Sequence, residues 1–281
     1  MRKYIKLLLV LSIVITSACR QDKKTNNNLE SNEPTEFKVD EEKQKEIIEK
    51  HLKNGAWKYE LYSREWQEEI DKGLEKDSTI AYLWQQKAMP MFKQGKHELG
   101  LKYIDKAVKY DRQKWQDYRA FMKCIFVKDY RGAILDFNDY EERFGYGYVM
   151  DHTFSFYKGI SYLQLNEFKK AEKIFEEDYK RQVKENGNEN IHHLDLFYYG
   201  ISRYEQKKYE GAIEMFDKAL AIYPNFSDAQ CYKSGCLYKL GKMKEGDEMT
   251  KLCQENGRKG NTINEDNVKY ERYPYQIRWW N

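Results

Sequence analysis

Small and large residues recur at fixed spacing along most of this sequence. The most complete copy of this pattern consists of small and aromatic residues at fixed spacing: Gly200, Tyr209, Ala212, Phe216, Ala219 and Pro224. The same spacing begins again at Gly159 and at Ser234, and the step from Ala212 to Gly246 is 34 residues. A period of this size with small–aromatic–small spacing is typical of stacked helical hairpins.

The spacing has a physical reason. Small residues let two helices approach closely, and aromatic residues fill the space between successive hairpins. One hairpin leaves an apolar face uncovered, so neighbours must stack on it. With only 4 prolines and 16 glycines in 281 residues, the composition favours helices over short strands. We therefore predict an all-α solenoid.

The periodic segments and the breaks between them predict about six hairpins within residues 41–256. In the first hairpin, a second helix is expected from about Trp57, and Pro90 in the second hairpin should kink or break its helix. The longest break is expected at 184–189, where the composition is that of a loop. The later hairpins are expected at about 81–113, 114–146, 152–185, 193–226 and 227–256.

The N-terminus has the features of an export signal. Residues 1–18 combine three cations with an apolar run too short to span a bilayer. Thr16, Ser17, Ala18 and Cys19 resemble a bacterial lipoprotein cleavage box, so we expect lipid on Cys19 and a protein held at the bacterial cell envelope, periplasmic or surface-exposed. An ordinary cleaved signal with an incidental cysteine is the alternative.

Residues 19–40 are polar and asparagine-rich, and we expect them to be a flexible tether. The whole chain has 49 cations and 46 anions, so loss of the three cations in residues 1–18 leaves the mature chain at 46 against 46. Nucleic-acid binding needs an excess of cations, and none is expected here. The sequence predicts membrane contact through lipid on Cys19.

Four further cysteines follow the tether. Cys231 and Cys236 are five residues apart on a predicted helix and should face different sides. A bridge from either to Cys253 is geometrically possible, since an exported protein can form disulfides. We expect small buried thiols instead.

The stretch from Tyr198 to Ile213, continuing to Phe216, Ala219 and Pro224, resembles the tetratricopeptide repeat (TPR) family. The resemblance covers about residues 45–256. It implies antiparallel helix pairs stacked into a right-handed superhelix, with the first helix of each pair lining a concave groove. It also implies a role in binding peptides or protein partners there.

Mapped onto this chain, the resemblance assigns an aromatic inner face to the groove. The partner-binding residues that we expect are Tyr82, Gln85, Phe92, Trp115, Tyr118, Phe156, Phe197, Tyr204 and Tyr238. Such a surface would suit extended or helical apolar segments. Alternatively, a tight superhelix or the chain's own tail covers these groups.

Motifs for catalysis are missing from the sequence: it has no phosphate-binding glycine loop, nucleophile elbow or zinc-protease motif. His192 and His193 with Asp195 could bind a metal, but adjacent side chains diverge, so we expect a solvated loop and helix start. We expect no enzyme activity, no cofactor and no metal. A site assembled only by the fold is a further hypothesis.

Residues 257–281 form an aromatic C-terminal extension that Pro274 keeps from being helical. It is either a cap or strap on the repeats, or a docking strand for a partner or a membrane interface. The sequence favours a non-catalytic, lipid-anchored scaffold for a protein or peptide partner. The alternative is a glycan- or small-molecule-binding accessory protein of an envelope uptake system.

Overall fold

The computed structural model of the chain describes residues 40–187 and 190–279. The signal peptide, Cys19 and nearly all of the tether lie outside the described residues. Twelve α-helices are present in the described part. They are α1 Glu41–Ile48, α2 Arg64–Lys76, α3 Ala81–Lys93, α4 His97–Tyr110, α5 Arg112–Met122, α6 Tyr130–Phe144, α7 Phe154–Gln164, α8 Phe168–Asn186, α9 His193–Glu205, α10 Tyr209–Ile222, α11 Ser227–Lys239 and α12 Met243–Arg258.

Consecutive helices pack in pairs, from α1 with α2 to α11 with α12, and each pair packs on the next. The predicted all-α solenoid of about six hairpins is confirmed. From the second hairpin to the sixth, the turn between the two helices holds one residue with positive φ. These residues are Gly95, Lys128, Asn166, Lys207 and Gly241. A left-handed residue ends a helix by satisfying its last carbonyl groups, so the turn recurs with the repeat.

The small residues of the repeat lie where the two helices of a hairpin touch. A Cβ atom placed on Gly159 would be 2.3 Å from Phe175 Cζ, and one on Gly200 would be 2.5 Å from Phe216 Cε1. Glycine in the first helix therefore makes room for the phenylalanine ring of the second. This contact explains the small–aromatic spacing of the sequence.

The first hairpin departs from the sequence-based expectation. α1 continues as a π-helical turn over Glu49–Lys53, and Ala56–Lys58 forms a short 3-10 turn. α2 begins at Arg64 rather than near Trp57, because the Ser63 side chain caps it by accepting a hydrogen bond from Trp66 N–H. This hairpin has its own buried cluster around Leu52, Ile70 and Leu83.

The break expected at Pro90 is not present, since α3 runs to Lys93. Proline cannot donate to the carbonyl four residues earlier, which belongs to Gln86. The Trp66 indole N–H instead donates to that carbonyl at 3.4 Å. The Gln86 carbonyl, which proline leaves without a partner in the helix, thus accepts from a donor outside the helix. Only three residues of α3 follow Pro90.

Two further differences concern the connections. A two-stranded antiparallel ribbon, β1 Tyr148–Val149 and β2 His152–Thr153, precedes α7, where the sequence indicated only a loop. α8 extends to Asn186, two residues past the Lys184 at which the long break was expected to begin.

Cys231 and Cys253 form a disulfide between α11 and α12, with their Cα atoms 5.2 Å apart. The expectation of four buried thiols is therefore wrong for this pair, because the hairpin brings residues 22 apart into facing positions. Cys124 and Cys236 are buried and free. Among the described residues, none of the helices has the length and apolar character needed to cross a membrane.

Candidate functional site

The predicted groove residues lie along the first helices of the hairpins, but they are not open to solvent. The half-buried ones are Tyr82, Tyr118, Tyr204 and Tyr238. The buried ones are Gln85, Phe92, Trp115, Phe156 and Phe197. Phe156 and Phe197 have no exposed surface at all, so they act as core in this state. Their role in partner binding stays a prediction.

The C-terminal segment over residues 259–279, here called the strap, packs on the repeats. It has one short 3-10 turn, Asp266–Lys269, and is otherwise irregular. Ile263 and Tyr273 of the strap are buried. The Trp279 indole covers Gly257 on α12, where a Cβ atom would be 1.9 Å from the ring.

Asp228 at the start of α11 is the strap's most heavily bonded anchor. Its carboxylate accepts from Thr262 Oγ1 at 2.6 Å, from Ile263 N–H at 3.2 Å and from Ile277 N–H at 2.6 Å. Burial raises the pKa of this carboxyl above its ordinary value, although the three donors oppose the rise. One buried side chain thus holds both ends of the stretch of the strap from Ile263 to Ile277.

Tyrosines of the first helices bind the middle of the strap through its backbone. Tyr198 donates its hydroxyl to the Pro274 carbonyl at 2.8 Å, and Tyr232 donates to the Tyr275 carbonyl at 3.2 Å. These two contacts depend on the path of the chain and not on the identity of its side chains. The inner face therefore binds a turn of the strap, Tyr273 to Gln276, by its main chain.

The strap also reaches the second and third hairpins. Lys128 Nζ donates to the Arg272 carbonyl at 2.8 Å. His97 Nε2 lies 3.0 Å from Glu271 Oε1, and Lys93 Nζ lies 5.0 Å from the centre of the Tyr270 ring. Through these contacts the strap touches the second, third, fifth and sixth hairpins. The chain's own tail therefore covers the groove.

A loop of the first hairpin carries three exposed aromatic side chains. Trp57, Tyr59 and Tyr62 are between 45% and 50% exposed. Tyr62 also lies beside Tyr270 of the strap. Sequence reasoning placed Trp57 inside a helix and so missed this surface. A helix start assigned to Ser63 would have left Trp57 in a loop and indicated the surface.

A cluster of histidines and carboxylates lies where the ribbon, the start of α9 and the strap meet. His152 on β2 has a fully buried side chain, and its Nε2 lies 3.4 Å from Glu265 Oε1 of the strap. The His152 and His192 rings are 4.9 Å apart, centre to centre. Burial lowers the pKa values of His192 and His193 to about 4, so both rings are neutral at pH 7.

The pKa values of the two carboxyls beside these rings are shifted in opposite directions. Burial raises the pKa of Asp195 to about 6. Burial would also raise that of Glu265, but the neighbouring His152 imidazole outweighs it and the pKa is lowered. The sequence singled out His192, His193 and Asp195, but not His152 and Glu265, because these come from distant segments.

The free thiols are not nucleophiles at neutral pH. Burial raises the pKa of Cys124 and of Cys236 to about 12. A cysteine nucleophile requires the thiolate. The geometry therefore gives these residues a packing role.

The fold is thus that of an α-solenoid of helical hairpins. A family model described as "Tetratricopeptide repeat" matches residues 193–226, the range expected for the fifth hairpin. The chain contains a tetratricopeptide repeat there, and the resemblance drawn from its sequence is confirmed.

Solved structures with the same fold cover most of the repeat domain. MamA 41-end from Desulfovibrio magneticus RS-1 is 16% identical with a TM-score of 0.53, over 64% of this chain and 96% of that one. PilW, described as a widely conserved type IV pilus biogenesis factor, is 13% identical with a TM-score of 0.57, over 79% and 95%.

A tetratricopeptide repeat protein from Parabacteroides merdae is 14% identical with a TM-score of 0.55, over 81% of this chain and 96% of that one. At these identities the likeness concerns the fold alone. No curated protein matches the sequence.

Proposed function

We propose that the protein is a non-catalytic, lipid-anchored scaffold that binds a protein or peptide partner at the bacterial cell envelope through its concave groove. The solenoid fold supports the scaffold role. The signal-like residues 1–18 and the cleavage box before Cys19 support the anchor. A lipoprotein cysteine carries several acyl chains, which are needed for stable anchoring.

One observation carries the proposal: the first helices already bind a non-helical peptide segment, the strap. Tyr198 and Tyr232 bind carbonyl groups of the strap, and Asp228 binds two of its amide groups. A partner segment that is non-helical and rich in aromatic residues would satisfy the same groups. Main-chain bonds provide affinity in this mode, and side-chain pockets provide specificity.

Because the strap fills the groove, partner binding and strap binding compete. The apparent affinity for a partner is then reduced by the fraction of molecules in which the groove is open. The strap would keep the aromatic inner face covered until a partner of higher affinity arrives.

Groove binding is tested with a chain that ends at residue 264 and a labelled peptide of the sequence of residues 265–281. We expect saturable binding at one peptide per chain, measured by fluorescence anisotropy. A peptide of scrambled sequence is the control for the ligand, and Tyr198→Phe is a matched variant that removes one main-chain bond. Equal binding of both peptides would reject the groove as a recognition surface.

Partner binding itself is tested by isolating the full chain from detergent-solubilised envelope. We expect a stoichiometric protein partner that the peptide of residues 265–281 displaces. Mass spectrometry of the mature N-terminus tests the anchor, and we expect a diacylated or triacylated Cys19. An unmodified start would remove the anchoring part of the proposal and leave the groove unaffected.

A further inference from the structure

The cluster around His152 has an arrangement that hydrogen bonding within the protein does not explain. The His152 side chain is fully buried, yet neither ring nitrogen has a hydrogen-bond partner in the described residues. Asp195 Oδ1 beside it is buried and unpaired as well. Buried polar atoms are nearly always satisfied, so a group of this kind requires an explanation.

We propose that His152, His192 and Glu265 bind a divalent transition-metal ion, with zinc as the ion best matched to the donors. Each residue offers one ligand atom, and these atoms all lie within 4.8 Å of one another. Two imidazoles and one carboxylate are a common zinc ligand set, and the fourth position of the tetrahedron is then left to water or to an external ligand.

The distances fit an ion after small side-chain movements. Zinc–ligand bonds of about 2.0–2.2 Å in a tetrahedron place neighbouring ligand atoms roughly 3.4 Å apart. His152 Nε2 and Glu265 Oε1 are already 3.4 Å apart. His192 has only to close the remaining gap, and it lies in a connection, not in a helix.

The surroundings of His152 are those of a metal-bound histidine. Its other nitrogen, Nδ1, lies 3.9 Å from Asp195 Oδ1. A histidine that binds a metal usually gives its second ring N–H to a carboxylate, which fixes the ring and strengthens the ligand. Phe156 stacks on the His152 ring at 3.8 Å between centres and restricts its rotation.

Charge favours a cation in the cluster. Glu265 and Asp195 bring two carboxylates to a place with little exposure to solvent, where their side chains are 11% and 12% exposed. An ion of charge +2 would balance the two carboxylates, and unpaired buried charge is costly. His193 is not part of the ligand set, because its ring packs against Tyr223 and Phe226.

The ion would connect β2, the segment before α9 and the strap. Glu265 is the only ligand of the three that belongs to the strap, so metal binding would fasten the strap over the groove. This inference is independent of the proposed partner binding, since it concerns a site formed within one chain.

The test is calorimetric titration of ZnCl2 into the full chain, purified in detergent without a polyhistidine tag and treated with EDTA before dialysis. We expect one zinc ion per chain. At free zinc about 100-fold above the dissociation constant, the thermal midpoint should rise by roughly 5–10 °C for a domain of this size.

Glu265→Gln and His192→Gln should each weaken zinc binding by at least about 100-fold and remove the thermal shift. Asp195 is a positioning residue, so Asp195→Asn should weaken zinc binding by about 10- to 100-fold. His97→Gln is the matched control. It breaks another histidine–glutamate pair between a helix and the strap, His97 with Glu271, which has no third ligand.

Midpoints measured in EDTA show whether each variant still folds, and the two half-buried ligands, Glu265 and His192, are replaced by side chains of similar size for that reason. Absence of stoichiometric binding by the wild-type chain would overturn the proposal. So would unchanged binding in Glu265→Gln and His192→Gln, which would place the zinc elsewhere in the chain.

Discussion

Replacement of Gly159 by alanine tests the contact that produces the repeat pattern. In the middle of α7, the new Cβ atom would be 2.3 Å from Phe175 Cζ and 2.6 Å from Cε1. Carbon atoms pack at about 3.5–4.0 Å, so the ring or the helix must move by roughly 1 Å. Phe175 is buried in a close-packed interior, where such overpacking costs about 1–3 kcal/mol.

Alanine also favours the helix over glycine by about 0.8–1.0 kcal/mol, so the single variant gives only a net effect. Gly235→Ala in α11 is the matched control, because its Cβ atom would meet Tyr204 at an ordinary 3.7 Å. The helix-propensity gain is common to both variants. The difference between their free energies of unfolding therefore isolates the overpacking, and we expect about 1–3 kcal/mol.

The measurement is chemical denaturation followed by circular dichroism, with the thermal midpoint as a second readout. A difference of 2 kcal/mol corresponds to roughly 4–8 °C in a domain of this size. In a Phe175→Leu background, Gly159→Ala should cost less, because the smaller side chain gives the Cβ atom room. If Gly159→Ala stabilised the chain as much as Gly235→Ala does, the packing of α7 against α8 described here would be refuted.

Three further predictions follow from the buried groups. In EDTA, the wild-type chain should lose stability relative to His193→Gln by about 1 kcal/mol for each pH unit as the pH falls from 6.5 to 4, because His193 has a lowered folded pKa and takes up its proton only on unfolding; a difference between the two free energies of unfolding that stays constant with pH in urea denaturation would contradict it. Cys231→Ser should lower the stability by about 3 kcal/mol, as expected for a loop of this length, and an unchanged denaturation midpoint under oxidising conditions would show that the disulfide does not contribute. Deletion of 268–281 should lower the thermal midpoint by many degrees, because it exposes core that the strap covers; an unchanged midpoint would make this segment a docking element rather than a structural one.

Most of the fold could be predicted because the local pattern and the global packing agree. Gly159 and Gly200 are small because the aromatic ring of the second helix needs the space, and Gly95, Asn166 and Gly241 mark three of the turns. Starts and interruptions of helices were less predictable. The Ser63 cap of α2 is a local bond among several possible helix starts, whereas the bond from Trp66 to the carbonyl opposite Pro90 depends on a side chain placed by the tertiary structure.

The candidate sites were less accessible to sequence reasoning for the same cause. His152, His192 and Glu265 meet although they are separated by 40 and 73 residues, and no local spacing signals such a group. The groove residues were assigned by their helix positions, and rings of the neighbouring hairpin pack on Phe156 and Phe197, such as Tyr198 and Phe226. The strap's irregular course has no periodicity from which its path could be read.

Hydrogen–deuterium exchange of the strap amides tests most directly whether the groove is filled by the chain's own tail. Ile263 N–H and Ile277 N–H both donate to the buried Asp228 carboxylate. We predict that they exchange as slowly as the amides of α11, and that Asp228→Ala accelerates their exchange before that of the helix. Exchange at the rate of an unstructured peptide, with α11 still protected, would contradict an occupied groove.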